Sequence, residues 1–227
     1  MLFVIGACLG SFFCVFAERM PLRENFWSTR SQCPHCKQTL RFYELIPLIS
    51  FTFLKGKCSR CKIKIPKLYV VAECCYGLLL FSMVHYAHHF GFHLSSIVIW
   101  LTSAFVLSLI DMFYYEIDTW LLYAMTLVLW INLFLTHAHF HVATALVCIL
   151  IYFLGQHWSF IGSADLFLAL SWFSWLTFDQ LYLLLWSASL LGVFYYYWST
   201  SVLKKNIVAI PFVPFLSFGL LLSLWIY

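Results

Sequence analysis

Two groups of residues in this 227-residue chain have the types and spacing for chemistry: four paired cysteines, and a few carboxylates set at the edges of apolar runs. Cys33-Pro34-His35-Cys36 and Cys58-Ser59-Arg60-Cys61 stand twenty-one residues apart, a spacing at which two CxxC turns offer four thiolates to one zinc ion. Four thiolates complete a tetrahedron and leave no position for water, so such a zinc organises the chain and does not hydrolyse. His35, between the first two cysteines, is expected to point outward. Cys8, Cys14, Cys74, Cys75 and Cys148 fall in apolar stretches, where a free thiol behaves as a small hydrophobe.

Asp111 closes the apolar run Leu107-Ser108-Leu109-Ile110, and Asp165 follows Gly162-Ser163-Ala164 at the start of another. A carboxylate at membrane depth is costly and marks a functional site by default. Two of them around one water cannot both ionise easily, so one acts as base and the other as acid, which is the arrangement for aspartyl hydrolysis of a peptide bond. For Asp165 a second role stays open, that of capping a helix N-terminus. Asp111 is expected at a helix C-terminus, where the dipole opposes its charge, and this favours the catalytic role. Asp118 is an alternative partner for Asp111 if the intervening turn is helical.

The elements that must position these residues follow from composition. With 63% hydrophobic residues, 10% charged residues and a mean hydropathy of +0.90, the chain is excluded from the soluble globular class and is expected to be a polytopic, all-α membrane protein. Apolar runs at residues 1–17, 68–86, 94–112, 118–136, 139–155, 163–178, 180–199 and 207–227 predict about eight transmembrane helices. The first is read as a retained helix, since no basic residue precedes it and no small-residue cleavage site follows. Three regions are expected: the first helix over 1–17, a zinc-binding loop domain over 18–67, and a seven-helix bundle over 68–227.

Eleven of the thirteen Lys and Arg residues lie between Arg19 and Lys67, the others being Lys204 and Lys205. The positive-inside rule therefore puts the first loop in the cytoplasm, and eight crossings put Lys204 and Lys205 there too, with both termini outside. Asp111 and Asp165 then share the cytoplasmic edge, whereas Asp179 lies on the outer side. His85, His88, His89, His93, His137, His139 and His141 fall on outer connections and are read as polar caps of short loops, since no ligand spacing among them matches a metal motif.

Further motifs resemble those of the type IV prepilin peptidases. Gly6-Ala7-Cys8-Leu9-Gly10-Ser11-Phe12 leading to Arg19-Met20-Pro21 is similar to the opening signature of that family, and the paired CxxC motifs to its zinc loop. Tyr43-Glu44-Leu45-Ile46-Pro47-Leu48-Ile49-Ser50-Phe51, Tyr69-Val70-Val71-Ala72-Glu73 and Ile210-Pro211-Phe212-Val213-Pro214-Phe215-Leu216 are family-like as well. The resemblance implies a GxGD-type aspartyl leader peptidase with Asp111 and Asp165 as its catalytic pair. Two departures stand out: Asp118 follows Ile117 where the family has proline, and Ala164 precedes Asp165 where it has glycine. The implied substrates are prepilin or pseudopilin helices, cut after a glycine at the leader boundary in a bacterial inner membrane. A second implied activity is N-methylation with S-adenosylmethionine around the first loop, with Glu18, Glu44 and Glu73 as candidate contacts. Lipid is an expected partner and nucleic acid is not.

The alternative from another class is a non-enzymatic membrane scaffold or transporter whose zinc knuckle docks a cytoplasmic partner. A membrane metalloprotease is disfavoured, because no HExxH motif occurs and the thiolate site is closed.

Overall fold

The computed structural model describes residues 1–22, 30–33, 35–85, 93–156, 163–202, 204 and 209–226. His88, His89, Pro34, Gly162 and Lys205 lie outside the described residues. Among the described residues the structure is helical, and extended pairing is limited to two isolated bridges, Gln32 with Thr39 and Lys57 with Lys64. The chain divides into two compact units, Met1–Tyr86 and Ala87–Tyr227.

In the first unit α1 (Leu2–Arg19) packs along α3 (Lys67–His85). Their close approach is made by glycines: a Cβ at Gly6 would stand 2.8 Å from the Cα of Gly77, and one at Gly10 would stand 2.9 Å from the Ala72 carbonyl oxygen. Gly6 and Gly10 thus form a small-residue seam within the chain, the kind of contact that holds apolar helices together where lipid supplies no hydrophobic drive. Between the two helices, the connection carries a 3-10 turn at Phe42–Leu45 and the short helix α2 (Ile49–Phe53).

The second unit is built on α4 (Leu94–Tyr114), whose apolar window is 72% buried, against 22% for the span begun by α8. It packs against α5 (Thr119–Leu135) and α9 (Val213–Ile226). Helix α7 (Ser163–Phe173) packs against α5 and α6 (Val142–Gln156), and α8 (Phe178–Tyr197) against α9. Gly219 lets the last pair approach, since a Cβ there would stand 2.6 Å from the Leu184 carbonyl oxygen.

All eight expected apolar segments are helices. Four, beginning at Leu2, Lys67, Leu94 and Phe178, are long and apolar enough to cross a membrane, and the other four are shorter apolar helices. This is the all-α membrane architecture that composition implied. The α7–α8 boundary differs from expectation: α7 stops at Phe173 and α8 starts at Phe178. A capping box causes the restart. Gln180 N–H donates to Thr177 Oγ1 at 3.3 Å, and Thr177 N–H donates to Gln180 Oε1 at 3.0 Å, satisfying two amides that the new helix leaves unpaired.

Candidate functional site

Asp111 sits in the last turn of α4 and is buried. Its Oδ2 accepts the Val213 N–H at 2.9 Å, with the Phe212 amide beside it. Helix α9 starts there, the Phe212 carbonyl accepting from Leu216 N–H, and Phe212 has no side-chain acceptor to cap its own helix. Asp111 therefore caps α9 from another helix. The unfavourable dipole of α4 is met by the favourable N-terminus of α9, which the sequence reading did not foresee. One turn earlier, Ser108 and Ser217 share a hydrogen bond of 2.7 Å, and Ser217 donates to the Ala104 carbonyl at 3.1 Å, fixing α9 against α4.

Asp165 lies in the first turn of α7 and is partly buried. Among the described residues its carboxylate accepts no hydrogen bond, so the capping role is not seen there. Helix α5 bridges the pair, touching α4 on one side and α7 on the other. The α5–α7 seam is held by Tyr123 edge-on to Phe167 at 4.7 Å and by Trp130 Nε1–H donating to the Ser171 carbonyl at 3.0 Å. Asp118 is not a partner for Asp111. The chain leaves α4 through Tyr115 in a left-handed conformation, and Asp118 caps α5, accepting from Trp120 and Leu121 N–H at 2.9 and 3.4 Å.

In the first unit the sulfurs of Cys33, Cys36, Cys58 and Cys61 all lie within 4.8 Å of one another, and no other such group occurs among the described residues. Two sulfurs about 2.3 Å from a tetrahedral zinc stand about 3.8 Å apart. Cys33 and Cys61 are separated by 3.8 Å, so the set fits zinc. The two lobes repeat one construction: Cys33 N–H donates to the Gln38 carbonyl and Cys58 N–H to that of Ile63, and Lys37 and Lys62 each turn the chain at positive φ. The Arg60 and Cys61 amides draw the Cys58 thiol down to about 7, while burial and the neighbouring sulfurs push Cys61 up to about 11, so the four sulfurs share protons that a metal would displace. His35 is exposed and outside the sulfur set.

A cavity of about 650 Å³ opens between the zinc lobes and the facing surfaces of α1 and α3. Glu18, Glu44 and Glu73 line it, with Arg19, Lys37 and Lys64. Tyr69 donates its hydroxyl to Glu18 at 2.8 Å, and Glu73 accepts the Leu48 N–H at 2.8 Å. Glu44 accepts the Arg41 amide at 2.7 Å. That amide, the Ser59 hydroxyl and the cations of Arg41 and Arg60 hold its carboxyl below the ordinary carboxylate range. The sequence named these acids singly; that they share one cavity was not legible from it.

Residues 4–87 match the family model described as the bacterial peptidase A24 N-terminal domain. A prepilin leader peptidase/N-methyltransferase of Myxococcus xanthus is 36% identical over 123 residues, 53% of this chain and 34% of that protein. One from Bacillus subtilis is 45% identical over 73 residues, 32% of this chain and 29% of that protein. A type 4 prepilin-like proteins leader peptide-processing enzyme of Escherichia coli is 40% identical over 82 residues, 35% of this chain and 30% of that protein. The resemblance to type IV prepilin peptidases read from the motifs is thus borne out, while the chain spans about a third of the length of the curated relatives it matches. No solved structure matches the chain.

Proposed function

We propose, with the similarity to type IV prepilin peptidases as premise, that this chain is a membrane aspartyl endopeptidase that removes the basic leader from prepilin or pseudopilin helices. The observation that carries the reading is the buried Asp111 carboxylate at the α9 N-terminus, with Asp165 in the first turn of α7 and α5 in contact with both α4 and α7. The ionised member of the pair takes a proton from water as the water oxygen adds to the peptide carbonyl. The protonated member donates to the carbonyl oxygen; collapse of the tetrahedral intermediate then expels the amine, which takes up a proton. The Val213 amide fixes the position of the Asp111 carboxylate, and either member of the pair can take the role of base with the other as acid.

An apolar substrate helix enters the bundle from the lipid while its basic leader stays on the cytoplasmic side, the side on which the positive-inside rule puts the zinc loop. Zinc on the four cysteines holds that loop folded. The cavity above it fits S-adenosylmethionine in size, in its mixture of apolar wall and opposite charges, and in carboxylates suited to a cationic centre. When bound, that cofactor supplies an electrophilic methyl group. Glu18 and Glu44 would face its cationic parts, and Arg19, Lys37 or Lys64 its carboxylate.

Co-expression with a pilin-like precursor tests the reading. Wild-type chain should shorten the precursor by its leader, and Asp165→Asn should leave it full length. Normal processing by Asp165→Asn sinks the dyad.

A further inference from the structure

Glu73 is a buried acid that the peptidase reaction does not use. It is 8% exposed, on the cavity wall, six residues into α3 from Lys67 and so about 9 Å along that helix. One oxygen accepts the Leu48 amide; the other makes no hydrogen bond, and no Lys or Arg pairs with Glu73 among the described residues. A buried carboxylate is ordinarily paired, because desolvation without a counter-charge is expensive. Holding Leu48, which turns at φ 61°, needs an acceptor and not a charge: a glutamine would serve. The backbone contact leaves the charge of the carboxylate unused, and among the described residues no ion pair takes it up.

We propose that Glu73 seats a primary ammonium group, the new N-terminus of the cleaved helix, and so presents the methyl acceptor. This rests on the methylation reading above. Glu18 is engaged by Tyr69, and Glu44, one of whose oxygens has no hydrogen-bond partner, already has the Arg41 and Arg60 cations near it, whereas Glu73 lies further along a spanning helix, at a level that an amine followed at once by apolar residues can reach. Seating the ammonium beside a carboxylate also provides a nearby acceptor for the proton that must leave nitrogen before its lone pair forms the N–CH3 bond and the S–CH3 bond of the sulfonium donor breaks.

The test separates charge from packing. Full-length protein in lipid nanodiscs is titrated with a short apolar peptide carrying a free α-amine and with the same peptide N-acetylated, without methyl donor. Wild type should bind the free amine roughly tenfold or more tightly, as a charge-assisted hydrogen bond at a buried site implies. Glu73→Gln, which keeps the Leu48 acceptor, should bind both forms alike, and Glu73→Asp should keep part of the preference. In cells Glu73→Gln should yield a precursor that is cut but carries an unmethylated N-terminus. Equal binding of both peptides by wild type, or a Glu73→Gln variant that still prefers the free amine or still methylates at the wild-type rate, overturns the proposal. A wild-type chain that fails to cut the precursor defeats the peptidase reading instead, while the peptide titration still decides the role of Glu73.

Discussion

On the proposed reading one side chain, Asp111, serves two purposes that substitution can separate. Asparagine keeps an oxygen for the Val213 amide but cannot act as a base; alanine loses both. Asp111→Asn should therefore lower precursor cleavage by roughly 10²–10⁴-fold with little change in melting temperature. Asp111→Ala should cost about 1 kcal/mol more stability than Asp111→Asn, the worth of a helix N-cap, read from thermal unfolding in detergent. Equal melting temperatures for the two would show that the α9 cap contributes nothing. The sequence marked Asp111 as an acid in need of an explanation. It did not reveal the amide that answers it, because Val213 lies 102 residues away. The prolines flanking that residue, Pro211 and Pro214, do signal a helix start, which is the one clue in the sequence.

At the scale of elements, the sites depend on how closely helices approach. Gly6→Leu would force α1 away from Gly77 and the cavity wall, and should destabilise the first unit by about 1–3 kcal/mol, as overpacked seams do. The check is a lowered unfolding temperature together with earlier proteolysis of the loop. Ser217→Ala removes both interhelical hydrogen bonds of that side chain at the α4–α9 seam, to Ser108 and to the Ala104 carbonyl, and should cost about 1 kcal/mol at about 0.6 kcal/mol each, with a larger fall in cleavage rate than in stability if that seam orients Asp111. The helices themselves were legible, since apolar runs of the right length appear as helices in the expected places. Their ends were less so. The Thr177–Gln180 capping box, present in the sequence, moved the α7–α8 boundary against what hydropathy alone indicated.

For the molecule as a whole, the two units should respond separately to metal removal. Chelation should open the loop between Ser31 and Pro66 to protease while the helical content of the second unit persists, since all four sulfurs belong to the first. Zinc retention should weaken as pH falls through about 7, because protons then return to a Cys58 thiol whose depressed value favours thiolate only above that point; competition with a chromogenic chelator measures it, and a flat affinity across that range would contradict the four-thiolate site. Composition, the span pattern, the CxxC spacing and the presence of acids at apolar edges were determined by the sequence alone, because hydropathy and ligand type are properties of residues and of short distances along the chain. Which amide greets Asp111, that Asp118 caps α5, and that Glu18, Glu44 and Glu73 line one cavity were decided only by the tertiary structure. Those facts depend on where helices distant in sequence touch, and no local pattern encodes that.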